Sequence, residues 1–207
     1  MHKRWLIWGL LVALIGVAVV PLVSADDVIE GRAGRAELRF LEGMIDHHQM
    51  ALDMANDCLA VATTASVTTL CQAIIDAQTA EIETMQGWLL VWYNVDYVPL
   101  SMLGDDMDMG GMDHSGMAMD DMPFTDPSMT MGMMAGLNRL EGVDYEIAWL
   151  ESMVDHHDDA IHMAERILER APEGSGHAEL NALAQQIIAD QSAEIELIEQ
   201  LIIELSA

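Results

Sequence analysis

The sequence predicts an all-α fold, a four-helix bundle built from two repeated helical hairpins joined by a Met-rich linker. Three observations carry this. Two stretches of the chain repeat each other at a fixed offset, and the apolar residues of each recur at three- and four-residue steps. Aromatic residues are only 5% of the chain, and no alternating apolar and polar run competes as a strand. With hydrophobic residues at 52% of 207, a sizeable core can form.

The first element is an export segment. Met1-His2-Lys3-Arg4 is basic, Trp5 to Val23 is almost wholly apolar, and Val23-Ser24-Ala25 is a small-x-small end. This pattern predicts a signal peptide over 1–25, cleaved after Ala25, and a periplasmic or extracellular location. The alternative is an uncleaved membrane anchor, since about 19 apolar residues can span a bilayer.

The first hairpin is expected within 26–98 and the second within 138–207. Arg35 to Ala55 reads RAELRFLEGMIDHHQMALDMA and Asp144 to Ala164 reads DYEIAWLESMVDHHDDAIHMA, with 10 identities in 21 positions at offset 109. IIDAQTAEIETM from Ile74 matches IIADQSAEIELI from Ile187 at offset 113, the extra four residues falling at Ala171–Gly176. Leu38, Leu41, Ile45, His48, Leu52 and Leu59 make the stripe of the first helix, and Leu70, Ile74, Ile82, Met85 and Leu89 that of the second. Asp144 is a candidate N-cap for the third helix and Ser175 for the fourth. A hairpin alone cannot bury both faces, so two are expected to pack together.

Between them, a linker over 99–137 contains Met102 to Met134, with 11 Met in 33 residues among Gly, Asp and Pro. It has no helical period, so no stable structure is expected there without a ligand. Its methionines fall in pairs: Met107-x-Met109, Met109-x-x-Met112 and Met117-x-Met119, with His114 between Met112 and Met117. A thioether carries no charge and no proton to lose, so this spacing suits capture of soft Cu(I) or Ag(I) over hard Mg, Ca or Zn.

Charge narrows the function further. Eight Lys+Arg stand against 35 Asp+Glu, a net charge of −27, and loss of residues 1–25 removes Lys3 and Arg4 and takes it to −29. Such a surface cannot neutralise nucleic-acid phosphates or dock on anionic lipid. It attracts cations.

The repeats carry a second candidate site. Met44, His47, His48 and Met54 share one helical stripe, with Met50 further round. The second copy supplies Met153, His156, His157 and Met163, and adds His162 where the first has Asp53. The simpler reading is a core imidazole bonded to Glu81 or Glu194, and the two readings coexist when a ligating ring donates its other N–H to a carboxylate. A di-iron site needs Glu-x-x-His. Here Met44 and Met153 stand three residues before His47 and His156, and Ile45 and Val154 three before His48 and His157.

Glu42 to Ala51, EGMIDHHQMA, resembles the signature of the DUF305 family, as do its second copy and the two Gln-x-x-Glu-Ile-Glu blocks. The resemblance covers both repeats. It implies a ferritin-like, exported protein that binds Cu(I), with Ag(I) as surrogate, in copper sequestration, tolerance or transfer. The ligands would be Met44, His47, His48, Met50 and Met54 and their second-copy matches; Asp158-Asp159 replaces Gln49-Met50, so the second site is expected to be less soft unless His162 compensates. Partners would be copper ions and a copper exporter or cuproprotein, with a membrane only if the N-terminal segment stays uncleaved. The competing readings are a ferritin-like or cuprous oxidase and an acidic, metal-independent interaction module; no catalytic triad or phosphate loop supports an enzyme. Whether the bundle holds one shared metal site or two separate ones is open. Cys58 and Cys71 both lie in the first repeat, and in an exported chain a disulfide closing the hairpin is expected, the alternative being a thiol pair that joins in copper binding.

Overall fold

A computed structural model of the protein describes residues 29–99, 135–170 and 176–207. Four helices dominate them: α1 (Gly31–Val61), α2 (Ala65–Tyr93), α3 (Gly142–Arg170) and α4 (Ala178–Leu205). No strand forms among the described residues. The proposed signal peptide and the segment Met102–Met134 lie outside the described residues. No described helix is long and apolar enough to cross a membrane.

The chain is an all-α bundle of two hairpins. α1 packs on α2, α3 on α4, and α1 on α3. Three residues, Ala62 to Thr64, turn α1 into α2. α2 ends at Asn94, whose left-handed conformation (φ 54°, ψ 38°) lets the Asn94 and Val95 N–H groups close on the carbonyls of Leu90 and Leu89. Asparagine tolerates that conformation better than most residues. Cys58 and Cys71 are joined across this hairpin (S–S 2.00 Å, Cα–Cα 6.4 Å), and both are fully buried. Closing a loop of this size contributes roughly 3 kcal/mol. Leu137, placed in the linker by its sequence, is buried in a core cluster that both hairpins share.

The interior has three levels. One apolar cluster joins Phe40, Leu41 and Met44 of α1 to Met85 and Trp92 of α2, Met163 and Ile167 of α3, and Leu180 of α4. The other joins Met50, Met54 and Cys58 to Leu70, Ile74, Trp149, Met153 and Ile198. The first takes the N-terminal half of α1 and the C-terminal half of α3, so those two helices run antiparallel. Between the clusters lies a polar level, with His47, His48, Gln78, His156, His157 and Gln191 all buried.

Two carboxylates that the sequence reading passed over hold the hairpins together. Glu37 and Glu146 are equivalent at offset 109, and both are fully buried. Glu146 of α3 accepts hydrogen bonds from the N–H and hydroxyl groups of Thr63 and Thr64, at 2.5–3.1 Å, and so caps α2 of the other repeat. Glu37 of α1 accepts the His177 N–H at 2.7 Å, capping α4, and pairs with the His177 ring and the Tyr93 hydroxyl. Each repeat thus caps the second helix of the other. This corrects both expected caps: Asp144 lies within the first turn of α3, and α4 is capped at His177 by a remote carboxylate. Ser175 lies outside the described residues.

Burial alone would raise the Glu146 carboxyl, but the bonds from Thr64 and Thr63 outweigh it and lower the group. A carboxyl lowered on folding stabilises above its unfolded value of about 4.3 and loses that contribution as pH falls through its folded value. Glu146→Ala is expected to lower unfolding stability by about 2 kcal/mol at pH 7. Urea melts should show that deficit shrinking between pH 5 and pH 3; a deficit that stays constant with pH would contradict the capping role.

Candidate metal centre

The polar level is where α1 crosses α3. The His47 and His156 rings stack there with centroids 3.7 Å apart and planes inclined by 38°. The His156 Nε2–H donates to the His47 backbone carbonyl at 2.9 Å. On either side, His48 Nε2 meets Glu81 Oε2 at 2.6 Å and His157 Nε2 meets Glu194 Oε2 at 2.6 Å. Helical register explains the matching: Glu81 and Glu194 follow Gln78 and Gln191 by three residues and lie on the same inward stripes of α2 and α4.

These bonds set the tautomers. A carbonyl or a carboxylate can only accept, so the proton on each of the His48, His156 and His157 rings that faces such a group sits on Nε2, and a metal would meet these rings at Nδ1. Those three Nδ1 atoms are buried without a protein partner, as are both ring nitrogens of His47. Burial first, and then the His156, His48 and His157 rings, hold His47 well below the usual imidazole range. Burial and His157 do the same to His156, against the opposing bond from the His47 carbonyl. The amide N and O of Gln78 and Gln191 are also buried and without protein partners. Each such group costs about 1–3 kcal/mol. An apolar layer of the same shape would serve the fold better, so this donor set answers to something other than packing.

Its chemistry is soft to borderline. Met44, Met54, Met153 and Met163 are buried above and below the imidazoles, and Met50 joins them. Among the described residues no group of three or more His, Cys, Asp or Glu side chains could hold a metal ion. Glu81 and Glu194 are engaged with imidazole N–H groups, the place of an orienting carboxylate behind a ligand. A metal at this level therefore has to draw on thioether sulfur together with imidazole, a set that fits Cu(I) or Ag(I).

The structure brings together nine of the ten residues that the repeats proposed: Met44, His47, His48, Met50, Met54, Met153, His156, His157 and Met163. His162 does not join them. Its side chain is 59% exposed and binds the carbonyl of Asp158 one turn back at 2.7 Å, so it cannot replace the thioether missing at Asp159. Met107, Met109, Met112, His114, Met117 and Met119 lie outside the described residues. The sequence reading also missed two supports of the centre. The Tyr97 hydroxyl donates to Asp46, beside His47, at 2.6 Å, and the Trp149 indole N–H donates to the Met54 carbonyl at 2.9 Å.

Three solved structures share this architecture. The chain is 26% identical to a DUF305 protein of Streptomyces coelicolor, with 83% of this chain and 94% of that chain covered and a TM-score of 0.62. A DUF305 fragment from Deinococcus radiodurans is 26% identical, with 81% and 95% covered and a TM-score of 0.60. CopM in its Cu(I)-bound form is 25% identical, with 83% and 98% covered and a TM-score of 0.59. None of the curated proteins matches the chain. The family described as "Domain of unknown function (DUF305)" matches residues 37–202, a span that holds nearly all of both hairpins and the whole of the His layer, and the chain belongs to that family.

Proposed function

We propose that this is an exported protein that binds Cu(I) or Ag(I) for sequestration, tolerance or transfer, a carrier of metal and not an enzyme. The observation that carries the reading is the buried level of four imidazoles, five of whose ring nitrogens lack a protein partner, set between methionine clusters. The Cu(I)-bound relative CopM supports it, and so does the methionine spacing of Met102–Met134. Export rests on residues 1–25, and the −29 charge of the remainder draws cations to it. When bound, the metal would be cargo. The residues of the chain orient the imidazoles, bury them away from water and hold His47 and His156 well below the usual imidazole range.

Titration of the mature protein with Cu(I) under reducing conditions, against a chromophoric Cu(I) chelator, tests this. Several equivalents of Cu(I) are expected, with Zn(II) bound at least about a hundredfold more weakly, as thioether ligands require. Less than one equivalent, or tighter binding of Zn(II), would overturn it.

A further inference from the structure

We propose that the bundle holds two soft-cation sites, one on each side of the imidazole level, and that each is built from both repeats. This rests on the copper-binding reading above and deepens it. Met44, Met85 and Met163 would form one site, and Met50, Met54 and Met153 the other, each completed by imidazole nitrogen.

The partition comes from the packing. The described residues contain six methionines, all of them buried. Three fall in each core cluster, and each trio mixes the repeats. Because α1 and α3 are antiparallel, Met44, one turn before His47, and Met163, two turns after His156, lie on the same side of the imidazole level; the repeat-related pair is Met153 with Met54. Met163 also lies directly over α1, its Cε 3.4 Å from where a Cβ on Gly43 would stand.

The departures from repeat symmetry support the pairing. Met50 has Asp159 as its counterpart, and Met85 has Ile198. Within either repeat these changes leave unequal sites, four thioethers against two. Across the antiparallel pair they compensate, because Met85 joins the cluster that lacks a Met50 equivalent and Met50 joins the cluster that contains Ile198. The result is three thioethers on each side. Simple core filling has no reason to equalise them. Unpartnered imidazole nitrogens of the layer between are available to either side, and the flexible methionine side chain can close on an ion without backbone movement.

The test uses the full mature chain labelled with 13C at the methionine methyls, titrated with Ag(I) in chloride-free buffer. We expect the Met44, Met85 and Met163 resonances to shift together, and those of Met50, Met54 and Met153 to shift together. Met163→Leu conserves volume and should weaken the response of Met44 and Met85 at least tenfold while leaving Met50, Met54 and Met153 unchanged. Met153→Leu should give the mirror result. If Met163→Leu instead weakens Met153 and spares Met44, the sites belong to single repeats and the proposal is overturned. If the six core methyls stay still while those of Met102–Met134 shift, the core methionines are packing residues and the proposal is likewise overturned. If no methyl shifts at all, the copper-binding reading itself fails.

Discussion

Replacing His47 and His156 together by leucine is expected to make the metal-free protein more stable while removing Cu(I) from the bundle. Leucine fills nearly the same volume, and the substitution removes three ring nitrogens that are buried without protein partners. The His156 bond to the His47 carbonyl is lost with them. At about 1–3 kcal/mol for each unsatisfied group, the net gain in unfolding free energy should be about 2–4 kcal/mol. Loss of a partner behind a metal ligand already weakens binding by about 10–100-fold, so loss of two imidazoles should weaken bundle affinity by at least about a hundredfold. The background for this test has the methionines of Met102–Met134 and His114 changed to serine. Urea melts and Cu(I) competition read the two effects. A destabilised variant with unchanged affinity would make the histidines ordinary core residues.

Acid should destabilise the metal-free wild type in a way that this double variant escapes. His47 and His156 are held well below the usual range by burial, so in the folded protein they stay neutral where the unfolded chain would protonate them. Below about pH 6.5 the unfolded state binds more protons, and stability falls by up to about 1.4 kcal/mol per pH unit for each ring. Two rings give about 2.7 kcal/mol per unit until the folded values are reached. Neutralising the many carboxylates changes both proteins alike, so the difference between wild type and His47→Leu/His156→Leu isolates the rings. That difference should grow as pH falls from 7 to 5. A difference independent of pH would mean that the rings are already charged in the folded state.

Much of this architecture is legible in the sequence, because it is written in period and repetition. Apolar spacing locates each helix, and the copied His pair marks what the fold keeps. The repeats could not say how the hairpins meet. Only the antiparallel crossing of α1 and α3 stacks His47 on His156 and turns two motifs into one level. Met50 stands off the inward stripe on a helical wheel, yet it is buried, because α1 packs on both α2 and α3 and its covered arc is wide. His162 departs from the expected ligand set for the opposite reason. It lies 240° round from His156 at 100° per residue, where α3 faces solvent. Glu37 and Glu146 carried a usable signal, an acid on an apolar stripe at the same place in both copies. The cap they form was invisible, since its partners lie 82–140 residues away in the chain.

X-ray absorption at the copper edge tests the central claim most directly. The sample is Cu(I)-loaded protein in which the methionines of Met102–Met134 and His114 are changed to serine, leaving the bundle as the source of ligands. A mixed shell of imidazole nitrogen and thioether sulfur is predicted, with Cu–S near 2.3 Å and Cu–N near 2.0 Å, roughly the range of other soft-metal sites. A shell of oxygen and nitrogen alone, or failure of this protein to retain Cu(I), would contradict the account.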